Sequence, residues 1–264
     1  MKKDNPLIDV VMPTYNSEKY ISDTIDSIIK QDYKNWRLLI SDAGSTDKTL
    51  KIIDKYVSCN KNIIKVFSGP DRGPADARRR CIQYDKKSDY IAFCDADDIW
   101  HKNKLKKQIS FMVKKGINFS YTDYEIISDD GTKKLGTVNP SNSYSYFQYL
   151  RKRGIVNSSV LIKKSILDMN VIKRVGRSHG EDLLWWLLIL RKGEVAKKCV
   201  GILVKYRIAK GSLSTNIFSH LRSILEIYFM ELKDNRFLKL IYFFLYLINV
   251  FVRIAYSRIQ HKVS

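Results

Sequence analysis

Apolar and polar residues alternate in blocks along the first hundred residues, and two kinds of block recur. Short apolar runs bounded by polar residues predict four buried strands, at Ile8–Met12, Trp36–Ser41, Ile63–Ser68 and Tyr90–Cys94. Between these runs apolar residues recur at helical spacing, which predicts helices at Ser17–Gln31, Asp47–Val57 and residues 75–85. Strands that alternate with helices imply crossover connections, so the pattern predicts an α/β fold with a mostly parallel sheet.

The pattern is less regular in the second half of the chain. Strand-like runs at Asn118–Tyr121 and Val160–Ile162 flank a turn predicted at Asp129–Gly131, and residues 181–192 predict a helix. From Ser219 the pattern is helical to the end of the sequence. There is no internal repeat and no linker rich in Pro, Gly or Ser, so no clear domain boundary falls before about residue 215.

The composition excludes a disordered chain and shows an unusually large positive net charge. Hydrophobic residues make up 45% of the 264 residues, enough to build a sizeable core. The formal net charge is +20, which indicates a polyanionic partner, either nucleic acid or an anionic membrane surface. The four cysteines show no CxxC spacing, so a reducing cytosol is expected rather than a disulfide framework or structural zinc. The apolar stretch near the start is interrupted by Asp9 and Pro13, and we interpret it as a strand rather than a secretory signal.

Three carboxylates in four residues follow the fourth predicted strand, in the sequence Asp95-Ala96-Asp97-Asp98. Such carboxylates repel each other unless a cation or solvent relieves them. Ligands of parallel α/β sheets bind beyond the carboxyl ends of the strands. A hard divalent ion shared with a substrate diphosphate therefore fits this position, and a solvated acidic turn is the alternative.

A second polar cluster, Ser41–Asp47, follows the second predicted strand. Gly44 permits a tight turn, and Ser45 or Asp47 is suited to cap the next helix. That structural explanation does not require Asp42, whose carboxylate is able to accept a base N–H from a nucleotide.

Taken in order, these clusters resemble the family 2 glycosyltransferases of the GT-A fold, in the subgroup that makes bacterial polysaccharides such as O-antigen and capsule. The resemblance covers residues 7 to about 215. The motifs that carry it are Pro13-Thr14-Tyr15-Asn16, Asp42-x-Gly44-Ser45-Thr46-Asp47, Gly69-Pro70-Asp71-Arg72-Gly73-Pro74-Ala75-Asp76-Ala77, Asp95-Ala96-Asp97-Asp98, and Glu181-Asp182 with Trp186. The resemblance implies a metal-dependent enzyme that transfers a sugar from a nucleotide donor, most often a uridine diphosphate sugar, with inversion at the anomeric carbon.

The resemblance also implies a donor site. Its residues would be Pro13, Thr14, Tyr15, Asp42, Arg72, Asp76, Asp95 and Ala96. Thr14 and Tyr15 would line the nucleotide pocket, and Asp42 would contact the base. Arg72 and Asp76 would lie near the donor.

Metal and proton-transfer roles follow from the same resemblance. Asp95 would approach the ribose or sugar, Asp97 would hold Mn²⁺ or Mg²⁺ on the diphosphate, and Asp98 would lie beside it. Asp182 would be the general base that takes the acceptor proton. A single displacement with one base inverts the anomeric centre.

Further candidates surround the predicted base. Asp98, His179, Glu181 and Trp185 are candidates for acceptor contact or for support of the residues that make it. We expect Trp186 to pack in the core, because the segment around it is apolar on most faces. Arg207 and Ser212 belong to a late segment that resembles a family segment folding back near the active site, and either is a candidate for phosphate contact.

The sequence thus predicts a GT-A catalytic domain over residues 1–215 and an amphipathic helical extension over residues 216–264. The uncharged run Leu240–Val252 is about 20 Å long as a helix, too short for a bilayer core of about 30 Å. Its polar positions form one stripe, so the remaining face is apolar and requires burial. Two readings are open: the helix lies in the membrane interface, or it packs on the catalytic domain or on a second copy in a homodimer. The net charge of +7 over residues 201–264 (ten Lys and Arg, three Asp and Glu) favours an anionic membrane surface.

These expectations place the chain as a peripheral protein at the cytoplasmic face of the inner membrane, with a polyprenyl-diphosphate-linked acceptor. A basic nucleic-acid-binding module is the first alternative, supported by the charge and by the basic helix-like run His101–Gly116. No nucleic-acid-binding motif accompanies that charge, so no specific nucleic acid is expected. A catalytically degenerate scaffold is the second alternative, and the intact Asp95, Asp97 and Asp182 argue against it.

Overall fold

The computed structural model describes residues 5–71, 73–168, 181–209 and Phe244. Its strands are β1 (Ile8–Thr14), β2 (Trp36–Asp42), β3 (Ile63–Ser68), β4 (Tyr90–Phe93), β5 (Ile99–Trp100), β6 (Phe119–Ile127), β7 (Lys134–Val138), β8 (Ser143–Tyr144), β9 (Leu161–Lys163) and β10 (Ala196–Arg207). Its helices are α1 (Ile21–Ile29), α2 (Thr49–Cys59), α3 (Pro74–Gln83), α4 (Lys104–Lys115), α5 (Tyr146–Arg151) and α6 (Glu181–Arg191). Short 3-10 turns lie at Asn157–Ser159 and Lys164–Ile166.

All of these strands belong to one mixed sheet, in the order β3-β2-β1-β4-β9-β6-β10-β5, with β7 paired to β6 and β8 to β10. The pairs β1/β2, β2/β3, β1/β4 and β6/β10 are parallel. Strand β9 is antiparallel to both β4 and β6, and so it joins the two parallel halves. The carboxyl ends of β1, β2, β3 and β4 therefore meet at one edge of the sheet.

Helices cover both faces of the sheet and give two apolar cores. Alternate residues of each parallel strand point to opposite faces. Val11 and Phe93 join the core beneath α3, α5 and α6, and Val10 and Met12 join the core beneath α1 and α4. The sequence pattern predicted this arrangement correctly: the fold is α/β with a mostly parallel central sheet.

Strand β1 continues through Pro13, at which the apolar run had been expected to end. Proline lacks an N–H and is normally excluded from central strands. Here the pairing of β1 with β4 ends at Val11, so Pro13 has only β2 beside it as a paired strand. The strand is therefore able to carry Thr14 as far as the sheet edge.

The predicted helical extension over residues 216–264 lies outside the described residues apart from Phe244, and so does the boundary near residue 215. None of the helices within the described part of the chain is both long and apolar enough to cross a membrane.

Candidate functional site

Polar residues gather where β1 and β2 end side by side. Thr14 is paired with Asp42 across these parallel strands, and its hydroxyl donates a hydrogen bond to Asp42 Oδ1 at 3.2 Å. The backbone amides of Gly44 and Ser45 donate to Asp42 Oδ2 at 3.0 and 2.8 Å, and the Ser45 hydroxyl donates to Oδ1 at 2.5 Å. The carboxylate of Asp42 thus organises the turn that follows β2.

The carboxylate of Asp42 is buried within the turn that it organises. Its exposed fraction is 0%, and both carboxylate oxygens accept hydrogen bonds inside the protein. Its contact with a nucleotide base stays a prediction. Gly44 has a φ of +84° and lies against Pro70, so the turn depends on glycine as well as on this carboxylate.

The loop after β1 is bound to the loop after β2 by reciprocal hydrogen bonds. The Asn16 amide donates to Ser45 Oγ at 2.9 Å, and the Thr46 amide donates to Asn16 Oδ1 at 2.9 Å. Asn16 adopts a φ of 45°, which asparagine tolerates better than most residues. These bonds hold Tyr15 at the surface with 61% of its area exposed, where its ring is free to stack on a planar ligand.

The acidic turn Asp95–Asp98 follows β4 at the same sheet edge and is anchored by residues distant in sequence. Ser158 accepts a hydrogen bond from the Asp95 amide at 3.0 Å, and its hydroxyl donates to Asp98. Asp98 is fully buried and also accepts from the Arg207 amide at 3.0 Å. The Ala96 carbonyl accepts from Thr24 Oγ1 at 2.9 Å. Asp98 is therefore an internal anchor of the turn, and its role at a ligand site stays a prediction.

The surroundings of this turn disfavour the charged forms of Asp97 and Asp98. Burial, and then repulsion from Asp95, raise the pKa of Asp97 to about 6. Burial and the neighbouring Asp97 and Asp95 also raise the pKa of Asp98 well above its usual value. A cation bound here would relieve that repulsion, and carboxylate oxygens are the donors that Mg²⁺ and Mn²⁺ prefer.

The chemistry of the donor set fits a divalent ion that is held jointly with a ligand. Across the described residues no group of three or more His, Cys, Asp or Glu side chains is arranged to hold a metal by itself. Asp97 is half-buried and close to the surface of the turn, whereas Asp95 already binds Arg78, whose Nη2 donates to Asp95 Oδ1 at 2.6 Å. The protein would supply few of the oxygen ligands of the divalent ion, and a bound diphosphate would supply the others.

Three consecutive arginines on α3 each pair with a carboxylate, one on α3 itself, one in the loop between β3 and α3, and one in the acidic turn after β4. Arg79 donates to Asp76 Oδ1 at 2.8 Å, and Arg80 donates to Asp71 Oδ2 at 3.3 Å. Arg78, which the sequence reading did not single out, is buried beside Asp95. Asp76 thus has a structural ion pair, and its place near a donor stays a prediction. Arg72 lies outside the described residues.

Helix α6 brings a tryptophan pair against the strand that carries the acidic turn. Trp186 packs edge-on against Phe93 with 5.3 Å between ring centroids, and Trp185 lies 6.2 Å from the same ring. Both tryptophans are buried, as expected for Trp186. Trp185 is only 1% exposed, and its contact with an acceptor, or its support of the residues that make one, stays a prediction.

Asp182 lies in the first turn of α6 and is half-buried, and its Oδ1 accepts a hydrogen bond from the Leu183 amide at 2.8 Å. Its role as a base stays a prediction. The side chain of Glu181 and the whole of His179 lie outside the described part of the chain.

The sequence of this chain is similar to those of sugar-transferring enzymes. The family described as Glycosyl transferase family 2 matches residues 9–173. The Escherichia coli protein WfgD, a UDP-Glc:alpha-D-GlcNAc-diphosphoundecaprenol beta-1,3-glucosyltransferase, is 36% identical over 221 residues, which cover 83% of this chain and 84% of WfgD. The putative teichuronic acid biosynthesis glycosyltransferase TuaG of Bacillus subtilis is 31% identical over 234 residues, 89% of this chain and 91% of TuaG.

Solved structures share the fold at lower sequence identity. Residues 1–349 of TarS from S. aureus, in complex with UDP-GlcNAc, superpose with a TM-score of 0.64 at 21% identity, covering 84% of this chain and 66% of that one. The mannosyltransferase PcManGT from Pyrobaculum calidifontis, in complex with GDP-Man and Mn²⁺, gives a TM-score of 0.63 at 16% identity and covers 88% and 66% of the two chains. Both neighbours have the GT-A fold.

Proposed function

Because this chain belongs to glycosyl transferase family 2, we propose that it moves a sugar from a nucleoside diphosphate to a hydroxyl of a lipid-linked oligosaccharide during synthesis of a bacterial surface polysaccharide. Uridine diphosphate sugars are the first donors to test, since WfgD and TarS are described with UDP donors. The lipid-linked acceptor is suggested by the diphosphoundecaprenol substrate in the name of WfgD.

One observation carries the proposal: a turn with three carboxylates is held by hydrogen bonds at the sheet edge where β1 and β2 also end. Tyr15 presents an aromatic face at that edge for a base, and Asp97 presents a carboxylate for a diphosphate and its counterion. A nucleoside diphosphate needs both kinds of contact.

Asp97 would hold the Mn²⁺ or Mg²⁺ ion, with Asp95 beside it and Asp98 as its internal support. When bound, the ion neutralises charge that develops on the leaving diphosphate. Arg78 keeps Asp95 paired at 2.6 Å, which limits the negative charge that the turn presents to the incoming phosphates.

Asp182 would act as the general base. The acceptor oxygen forms a bond to the anomeric carbon as the bond from that carbon to the diphosphate oxygen breaks, and the hydroxyl proton passes to the Asp182 carboxylate. One displacement of this kind inverts the anomeric centre, and the nucleoside diphosphate leaves with the electron pair of the broken bond.

For its place in the cell, we propose peripheral association with the cytoplasmic face of the inner membrane through residues 216–264. The apolar, basic composition of that extension supports contact with anionic lipid. Pairing of two such extensions in a homodimer is the other arrangement that would bury its apolar face.

The test is transfer from a panel of nucleotide sugars to a polyprenyl-diphosphate-linked acceptor. Asp182→Asn should lose about 10²- to 10⁴-fold in transfer rate, the usual contribution of a general base, while nucleotide affinity is kept. Asp54→Asn serves as the control, because Asp54 is an exposed carboxylate on α2 whose partner is the surface residue Lys65. EDTA should abolish transfer, and added Mn²⁺ should restore it.

Full activity of Asp182→Asn would exclude it as the base. Activity that is indifferent to chelation would exclude the metal role of Asp97. A chain that transfers none of the sugars yet binds random DNA tightly at physiological salt would favour the nucleic-acid-binding alternative.

A further inference from the structure

Arg207, the last residue of β10, contacts the acidic turn, which directly precedes β5, the strand paired with β10. Its backbone amide donates to Asp98 Oδ1 at 3.0 Å, and its Nε donates to the Asp97 carbonyl at 2.8 Å. Its Nη1 donates to the carbonyl of Asp129 at 2.9 Å, in the turn between β6 and β7. One residue thus fixes the backbone of Asp97, the carboxylate of Asp98 and a neighbouring loop.

The guanidinium of Arg207 is buried and enclosed by residues of neighbouring elements. Arg207 is 3% exposed, lies 5.1 Å from the ring centroid of Tyr20 and has Nη2 3.6 Å from Asp23 Oδ2. Gly131 has a φ of +76°, and a Cβ added there would lie 2.7 Å from Nη1 of Arg207. Glycine at position 131 therefore leaves the space that the guanidinium occupies.

The burial of these donors decides between two roles for Arg207. The sequence made it a candidate for phosphate contact, but Nε and Nη1 are already bonded to backbone carbonyls, and Nη2 is buried. A planar guanidinium bridges two carbonyls in a fixed geometry, which the single nitrogen of a lysine cannot reproduce. Arg207 is thus suited to act through the turn and not on the ligand.

We propose that Arg207 is a positioning residue that fixes the Asp97 backbone so that its carboxylate is aimed for joint binding of a divalent ion and a diphosphate. This inference rests on the proposed function, and it adds a residue beyond the acidic motif itself. Gly131 is needed for this arrangement, because it leaves room for the guanidinium of Arg207.

The experiment measures uridine diphosphate binding by calorimetry, with and without Mn²⁺, for the full chain. Arg207→Met should weaken Mn²⁺-dependent binding about 10- to 100-fold, as is typical when support of a metal ligand is lost, and should leave metal-free binding near that of the wild type. Arg207→Lys should recover part of the loss. Hydrogen exchange should become faster in residues 95–99 and 128–133 of Arg207→Met.

A matched pair of glycine variants separates the space requirement from backbone strain. Gly131→Ala and Gly116→Ala both place alanine at a positive φ, but nothing lies within 4 Å of a Cβ at Gly116. Gly131→Ala should therefore weaken Mn²⁺-dependent binding, whereas Gly116→Ala should only lower the melting temperature.

Wild-type Mn²⁺-dependent affinity in folded Arg207→Met would overturn the inference, and so would an equal loss in Gly116→Ala. If Arg207→Met does not fold, Arg207→Lys and Gly131→Ala decide the question by the same readouts. A wild-type chain without Mn²⁺-dependent binding would count against the metal role in the proposed function. Hydrogen exchange would then decide the positioning role: faster exchange in residues 95–99 supports it, and unchanged exchange overturns it.

Discussion

Lys104, in the first turn of α4, is completely buried, and its ammonium group has no hydrogen-bond partner among the described residues. The nitrogen lies 4.0 Å from the ring centroid of Trp100. Burial lowers the pKa of Lys104 to about 7. Below that pH the buried ammonium is charged, and its loss of hydration destabilises the folded protein.

Lys104→Met should stabilise the protein, because methionine keeps the apolar stem and removes the buried ammonium. The folded pKa lies below the unfolded value of 10.5, so the cost is complete below about pH 7 and declines as pH rises toward 10.5. We expect the gain in unfolding free energy to be a few kcal/mol at pH 7 and smaller at pH 9.5. Urea denaturation at both pH values measures it, and an equal gain at both would contradict the assignment.

At the same scale, the sequence located the acidic turn but could not identify its supports. Polar residues directly after an apolar run marked Asp95–Asp98 as a strand-end cluster. Ser158 and Arg207 lie 60 and 109 positions from Asp98, and no local pattern links them to it. The burial of Asp42 could not be predicted for a related reason: its carboxylate binds backbone amides of its own turn, which residue type does not reveal.

Among elements, the strands and helices of the first half were predicted nearly to their ends, whereas β6 and β10 were not. The run predicted at Asn118–Tyr121 continues to Ile127, because Asp123 is paired with Lys198 and Glu125 with Lys205 of β10. Within β10 the register shifts on both sides of Ile202. Such register shifts interrupt the alternation of apolar and polar residues by which a strand is recognised in a sequence.

A buried ion cluster joins β1, β2 and the segment before β4 at the end of the sheet opposite the acidic turn. Arg37 of β2 bonds the carboxylates of Asp9 and Asp85 at 2.7 to 3.0 Å, and Asp9 is completely buried. Hydrogen bonds from Arg37 hold the pKa of Asp85 well below its usual value.

Arg37→Met should destabilise the protein by up to about 3–5 kcal/mol, because the completely buried Asp9 would keep only Lys164, at 3.9 Å, as a nearby cation. Lys65→Met is the control: it removes an exposed ion pair with Asp54 and should cost no more than about 1 kcal/mol. Urea denaturation gives both values. Nucleotide affinity of the folded Arg37→Met protein should be unchanged, since the cluster is at the far end of the strands, and a large loss of affinity would show coupling between the two ends.

At the scale of the whole molecule, the net charge of +20 has more than one source. Helix α4, within the basic run His101–Gly116, places most of its lysines at the surface and buries Lys104. The residues from 201 onward carry a further excess of +7. Positive charge alone would attract both an anionic membrane and nucleic acid. The membrane proposal differs in requiring that the charges of residues 216–264 contribute more to binding than those of α4.

We expect the full chain to bind vesicles that contain phosphatidylglycerol and cardiolipin, and to be released by salt. Replacing Lys239, Arg253 and Arg258 by Gln should weaken vesicle binding at least several-fold. Replacing Lys106, Lys107 and Lys114 by Gln removes the same charge from α4 and should have a smaller effect. Cosedimentation measures both, and equal losses would mean that net charge, and not the extension, drives the association.

Because Arg207 lies far along the sequence from the acidic turn, it affects the order in which parts of the molecule fold. The loops after β1 and β2 are joined by bonds that span about 30 positions, such as that between Asn16 and Thr46, whereas the bond from Arg207 to Asp98 spans 109. Contacts between distant parts of a chain form late, because a long loop must first be closed. A growing polypeptide can therefore join the loops after β1 and β2 well before β10 emerges, and the acidic turn gains its last support only after residue 207 has been made.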